Sequence, residues 1–182
     1  MEELELDLKQ EALKQGAILG IINIIIGFLV YFIDPAMMAG MSFGFLVLGL
    51  NLAYIIYAGI QFRKEIGGFL SFGKAYVHGF IMLLVAGLIG AIFRIVLFHV
   101  IDPDLIDLIV DVSVENTAAI MEKFGAGGDQ MEEALDKVRE DMPANFSVFG
   151  IFKGYLFSII FFAIVSLISG AVVKRKDPAM EL

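Results

Sequence analysis

Four long apolar runs constrain this chain more than any other feature. They cover residues 15–33, 43–62, 76–101 and 148–173. Each run is long enough to cross a bilayer, which needs about 20 apolar residues at 1.5 Å per residue. Between residues 43 and 60 the only polar side chains are Asn51, Tyr54 and Tyr57, so this run has no face for water. The pattern predicts an all-α polytopic membrane protein with four transmembrane helices in two hairpins.

Composition supports this class and argues against catalysis. Hydrophobic residues make up 59% of the 182 residues, above the 45–50% of a typical soluble domain. There is no cysteine, which excludes disulfides and thiolate chemistry. The sequence also lacks a Ser–His–Asp set, a paired zinc-histidine motif and a phosphate-binding loop. We therefore expect no enzyme, no cofactor, no metal site and no nucleic-acid partner.

Basic residues near the ends of the runs predict the orientation. Two of the links between runs differ from the other segments: residues 34–42 have no Lys or Arg, and residues 102–147 have three against twelve acidic residues. The other segments contain Lys9 and Lys14, then Arg63, Lys64 and Lys74, then Lys174, Arg175 and Lys176. Because Lys and Arg concentrate in cytoplasmic segments, both termini should be cytoplasmic. Residues 102–147 then form an external acidic insertion in a single membrane domain of residues 1–182.

The insertion has the pattern of two amphipathic helices. Asp102 and Pro103 suit the N-cap and first position of a helix over residues 103–124. Glycines between residues 125 and 128 should break it, and a second helix should follow over residues 129–142 until Pro143. We expect a helical hairpin on the outer surface. Its acidic stripe is either a solvated face or a surface for cations or a basic partner; the stripe comprises Asp104, Asp107, Asp111 and Glu115.

A few side chains within the runs are candidates for function or packing. Arg94 is a charge well inside a membrane run, where a charge costs about 3 kcal/mol at mid-helix. It can snorkel to the interface, pair with Asp102 or Asp104, or serve transport. Asn23 and Asn51 can hydrogen-bond between helices at about 0.6–2 kcal/mol each.

Small residues and histidines complete the candidates. Residues four apart, such as Gly16 with Gly20 and Gly40 with Gly44, predict close helix packing. His78 and His99 lie near opposite ends of the third run, and we interpret both as interfacial histidines.

The link between the second and third runs has a distinctive sequence. It reads GGFLSFGKAY over residues 67–76, followed by Gly79 and Phe80. With the step at residues 101–104 and the lysines after the last run, it resembles family 4199 of the bacterial domains of unknown function. The resemblance implies a four-helix inner-membrane protein of a kind common in Bacteroidetes, and implies no activity. The candidate residues of this link serve as a topological anchor or recruit a cytoplasmic partner; they are Arg63, Lys64, Gly67, Gly68, Phe72 and Lys74.

Two functional hypotheses follow from these observations. The first is a non-catalytic structural, interaction or accessory protein of the bacterial envelope, with the bilayer and either an envelope protein or a second copy as partners. The alternative is a small oligomeric transporter or channel that uses Arg94 and the intramembrane asparagines.

Overall fold

The computed structural model of this chain describes residues 2–125 and 127–176, with side chains from residue 6 onward. The described residues form long helices linked by short 3-10 turns. The α-helices are α1 (Glu2–Ile33), α2 (Met41–Glu65), α3 (Phe72–Val96), α4 (Leu105–Lys123), α5 (Asp129–Asp141) and α6 (Val148–Val173). Segments long and apolar enough to cross a membrane are Leu6–Ile33, Met41–Glu65, Phe72–Ile101 and Val148–Val173. The prediction of an all-helical chain with four helices long and apolar enough to cross a membrane is thereby confirmed.

Helices α1, α2 and α3 begin before the apolar runs that signalled them, whereas α6 has the same bounds as its run. Helix α1 begins at Glu2, well before the predicted start at residue 15, and α3 begins at Phe72 instead of residue 76. Glu, Lys and Leu are all good helix formers, so charged residues do not interrupt the backbone. Hydropathy therefore located the lipid-compatible part of each helix, but for the first three it placed the start of the helix too late.

The two Ile-Asp-Pro steps, which look alike in sequence, have different structures. Asp34 accepts a hydrogen bond from the Ala36 N–H at 3.0 Å and caps the 3-10 helix Pro35–Ala39. Asp102 instead ends a π-helical turn, Leu97–Ile101, through its N–H bond to the Leu97 carbonyl at 2.8 Å. Asp104, not Asp102, occupies the N-cap of α4. The expected N-cap role of Asp102 is wrong because its carboxylate accepts from the Tyr31 hydroxyl at 3.0 Å.

Helices α4 and α5 occupy the long link. Helix α4 packs against α5 and against the 3-10 helix Pro35–Ala39. Helix α4 buries Leu105, Ile109, Val110 and Val114, whereas α5 buries none of its residues. Gly125 and Gly128 adopt positive φ values of 75° and 64°, which explains why glycines separate the helices.

The chain divides into two compact units. Unit 1 comprises Met1–Ile24, Val47–Gly90 and Tyr155–Leu182, as far as they are described, and unit 2 comprises Ile25–Leu46 and Ala91–Gly154. The main core of unit 1 is built from α1, α2, α3 and α6; its buried members are Ala12, Leu19, Ile55, Ala58, Met82, Leu83, Ala86 and Val165. In unit 2, edge-on aromatic pairs join Phe28 to Phe93 and Phe98 to Phe146, at centroid distances of 4.8 and 5.0 Å.

Glycines allow close helix contact within unit 1. A Cβ on Gly16 would lie 2.8 Å from the Met82 carbonyl oxygen and 2.9 Å from the Val85 Cβ. A Cβ on Gly20 would lie 2.9 Å from the Ile89 side chain. The predicted Gly16/Gly20 contact is thus a real approach of α1 to α3. Gly44, by contrast, has no atom of a described residue within 4 Å of such a Cβ.

Candidate functional site

The distinctive link between α2 and α3 folds into a structure that we call the basic clasp, defined as residues 63–76 and 173–175. Gly67 and Gly68 have φ values of +99° and +89°, a region that strongly favours glycine. The Gly68 N–H donates to the Arg63 carbonyl at 2.8 Å and closes the end of α2. The two glycines therefore turn the chain back immediately after the helix.

The turn directs the link onto the end of α6. Leu70 and Arg175 form an antiparallel β-bridge, with N–H to carbonyl distances of 3.0 and 2.8 Å. Arg63 donates from Nη1 to the Val173 carbonyl at 2.6 Å. Leu70 is only 2% exposed and belongs to a core cluster with Phe62 and Val173. The clasp thus fixes the last residues of α6 to the link.

Aromatic rings and a cap complete the clasp. The Lys174 ammonium lies 5.8 Å from the centroid of Phe72, and the Arg175 guanidinium lies 5.9 Å from that of Phe69, both within cation–π range. Ser71 accepts the Lys74 N–H through Oγ at 3.4 Å and caps α3. Each of residues 67–72 therefore has a structural role in this clasp.

A second polar feature, which we call the polar seam, joins α1 to α2 in unit 1. The Gln15 amide donates to Glu11 at 2.6 Å and accepts from the Tyr54 hydroxyl at 2.7 Å. Asn23 donates to Asn51 at 3.1 Å, and Asn51 donates back at 3.3 Å. Glu11, Gln15 and Asn23 are spaced by multiples of four, so they lie on one face of α1.

Sequence reasoning identified only part of this seam. It singled out the asparagines but overlooked the Gln15–Tyr54 bond. The four-residue spacing of polar residues at the start of α1 was the available signal. Asn51 also donates to its own helix, to the Val47 carbonyl at 2.6 Å. The amides of Gln15, Asn23 and Asn51 are thus all hydrogen-bonded within the seam.

The asparagine pair gives a first testable prediction. In a double-mutant cycle of Asn23→Ala and Asn51→Ala, we expect a coupling free energy of about 0.6 kcal/mol, with about 1.7 kcal/mol as the upper bound for such pairs. The reference pair is Asn23 with Tyr57. Tyr57 has no hydrogen bond to Asn23 in the described part of the chain, so this pair should show no coupling free energy. Unfolding of the detergent-solubilised protein, followed by circular dichroism, measures both. Strict additivity of Asn23 and Asn51 would contradict the pairing.

The structure does not bring Arg94 together with the acidic residues considered as its partners. Arg94 is exposed on α3, and within the described residues it has neither an ion pair nor a hydrogen bond. Asp102 is engaged with Tyr31, and Asp104 is exposed at the start of α4. The pairing of Arg94 with either carboxylate is therefore wrong in this structure, and snorkelling or a functional role is left.

His78 is also placed differently from expectation. It is 1% exposed and stacks on Phe62 at a centroid distance of 5.2 Å, with an interplanar angle of 11°. The interpretation of His78 as an interfacial residue is therefore wrong. Its Nε2 and the hydroxyls of Ser166 and Ser169 are buried without a hydrogen-bond partner in the described part of the chain. No group of three or more His, Asp or Glu residues that could hold a metal occurs among residues 2–125 and 127–176.

Comparison with known proteins gives one match. The family model described as "Protein of unknown function (DUF4199)" matches residues 14–175. No curated protein and no solved structure matches the chain. The matched region contains all four apolar runs, the asparagine pair, Arg94 and the whole clasp. Because this match covers most of its length, the chain belongs to the DUF4199 family.

Proposed function

We propose that this protein is a non-catalytic accessory protein of the bacterial inner membrane that presents α4 and α5 to a partner in the envelope. In this proposal the spans form two hairpins, both termini are cytoplasmic, and residues 102–147 lie outside. The arrangement holds an acidic helical surface at a fixed place on a membrane-embedded support.

The exposed acidic face of α4 carries the proposal. Asp104, Asp107, Asp111 and Glu115 are all exposed, and none forms an ion pair with a described residue. The opposite face of α4 is buried, so the helix is held in place. On α5, by contrast, acidic residues pair with Lys137 and Arg139 at 3.2 and 3.1 Å. An uncompensated negative face favours association with a basic surface through electrostatic complementarity.

The clasp supports the proposed topology. The bridge between Leu70 and Arg175 joins the link after the second span to the residues after the fourth. Two segments in direct contact at span ends belong on the same side of the membrane. Both are rich in Lys and Arg, which favours the cytoplasmic side.

Cysteine labelling tests the orientation, because the chain contains no cysteine. Gln130 is exposed on α5, and Lys64 is exposed in the clasp. We expect Gln130→Cys to react with a membrane-impermeant maleimide in intact spheroplasts, and Lys64→Cys to react only after permeabilisation. The reverse pattern would contradict the proposed orientation.

Photo-crosslinking from α4 tests the interaction. A photoreactive residue at Leu108, which is 38% exposed on α4, should capture a defined partner in native membranes. Capture should fall at least fivefold in Asp107→Asn/Asp111→Asn/Glu115→Gln. A matched control, Glu133→Gln/Asp136→Asn/Glu140→Gln, removes the same charge from α5 and should leave capture unchanged. Equal loss in both variants would contradict a specific acidic surface on α4.

A small oligomeric transporter or channel is the second candidate. The observation that favours it is Arg94, a charge within the span Phe72–Ile101 without an ion-pair partner in the described residues. The reciprocal bonds of Asn23 and Asn51 weigh against it, because those amides are already occupied. Uptake of an ion or solute by proteoliposomes tests this candidate. Uptake with the wild type that is lost with Arg94→Ala would support it over the accessory role.

A further inference from the structure

We infer that the basic clasp is a binding site for the headgroups of anionic phospholipids. The inference goes beyond the proposed accessory function. It concerns whichever leaflet meets the clasp, so it does not depend on the proposed orientation or on a protein partner.

The clasp concentrates positive charge from distant parts of the chain. Arg63, Lys64 and Lys74 come from the link, and Lys174 and Arg175 come from the end of α6. Glu65 is the one acidic residue within residues 63–76 and 173–175. None of these five bases forms an ion pair with a carboxylate in the described part of the chain. The charge is therefore available to an external anion.

The clasp lies at the depth of lipid headgroups. One candidate span ends at Glu65, the next begins at Phe72, and the last ends at Val173. The bases thus flank three membrane-crossing segments where the apolar sequence stops. Lys and Arg at this depth interact with anionic lipid at about 1 kcal/mol each, which corresponds to about fivefold in affinity.

The aromatic rings distinguish a lipid from free phosphate as the occupant. Phe69 and Phe72 are 36% and 41% exposed next to the bases. A phospholipid can place its phosphate on the bases and the start of its acyl chains against the rings, whereas inorganic phosphate uses the bases alone.

The clasp is also ordered before any lipid binds. The β-bridge fixes the backbone at Arg175, and the rings of Phe72 and Phe69 hold the Lys174 and Arg175 side chains. Arg63 is held by the Val173 carbonyl. Groups already held in position lose less conformational entropy on binding, which raises affinity.

Native mass spectrometry of the full chain in a neutral detergent tests the inference. The probes are phosphatidylglycerol, phosphatidylcholine with the same acyl chains, and inorganic phosphate. The clasp variant is Lys64→Gln/Lys74→Gln/Lys174→Gln. It keeps Arg63, which donates to the Val173 carbonyl, and Arg175, which forms the β-bridge. The matched control is Lys123→Gln/Lys137→Gln/Arg139→Gln, which removes the same charge from helices α4 and α5.

We expect phosphatidylglycerol to bind wild type at least tenfold more tightly than phosphatidylcholine. The clasp variant should lose about tenfold or more of this affinity, and the control less than twofold. Equal binding of the two lipids, equal loss in both variants, or displacement of the lipid by millimolar phosphate would overturn the inference. If the clasp variant fails to fold, a salt titration of wild type replaces it; lipid binding that does not weaken with ionic strength would equally overturn the inference.

Discussion

Replacing Gly16 by alanine should destabilise the folded protein by about 1–3 kcal/mol, the range for overpacking a close contact. The added Cβ would lie 2.8 Å from the Met82 carbonyl oxygen and 3.0 Å from the Met82 Cα. These are backbone atoms of α3, which cannot rotate away as a side chain can. Helices α1 and α3 would have to separate, and lipid offers no hydrophobic drive that would restore the contact.

The matched control for this substitution is Gly49→Ala in α2, where no described residue has an atom within 4 Å of the new Cβ. Because alanine is the better helix former by about 1 kcal/mol, we expect Gly49→Ala to be neutral or stabilising. Thermal unfolding in detergent, followed by circular dichroism, measures both variants. The contact geometry of α1 with α3 would be wrong if Gly16→Ala unfolded at or above the temperature of Gly49→Ala.

Two pairs of glycines illustrate what the sequence could reveal about packing. Gly16/Gly20 and Gly40/Gly44 share one spacing, yet among the described residues only the first pair meets a distant helix, α3. Spacing identifies faces on which a backbone can approach closely. It does not specify which neighbouring helix uses a face, because that depends on how distant parts of the chain meet.

The span prediction succeeded because hydropathy is a local property. Every residue within such a run must be compatible with lipid, so the apolar pattern continues along the whole segment. The ends of the helices were less predictable: Glu11 and Lys14 lie within α1, although their charge argued for a tail outside the membrane run. A residue can be helical without lying in lipid. A helix and its membrane-spanning part therefore share most residues but need not share their ends.

The clasp could be anticipated only in part. The turn at Gly67 and Gly68 and the cap at Ser71 follow from local preferences for positive φ and for helix N-caps. The bridge of Leu70 to Arg175 joins positions more than a hundred residues apart, and no local pattern encodes it. The segment that carried the family resemblance is also the one that makes this contact.

Arg94→Leu should ease membrane insertion of the third span by about 2 kcal/mol. An arginine at mid-helix costs about 2.5–3.5 kcal/mol on insertion scales. Arg94 lies eight residues before Asp102, about 12 Å at helical rise, so its position is closer to the interface and its cost smaller. A reporter assay that compares inserted and translocated forms of the isolated span measures this change, with Arg94→Lys as the control that keeps the charge and its cost.

The folded protein should tolerate the same substitution. Because Arg94 has no ion pair with a described residue, removing it leaves no buried carboxylate without a partner, and the unfolding temperature of Arg94→Leu should equal or exceed that of wild type. A large fall in that temperature would mean that the guanidinium stabilises the fold.

A costly charge that forms no ion pair with the described residues can reach the headgroups by snorkelling or serve a contact outside the chain. Reconstitution into proteoliposomes separates these possibilities. For the accessory role we expect background flux in wild type, Arg94→Leu and Arg94→Lys alike. Flux that Arg94→Lys preserves and Arg94→Leu abolishes would instead assign Arg94 to a transport path. If flux is absent, reduced crosslinking only in Arg94→Leu would identify the arginine as part of a contact within the membrane.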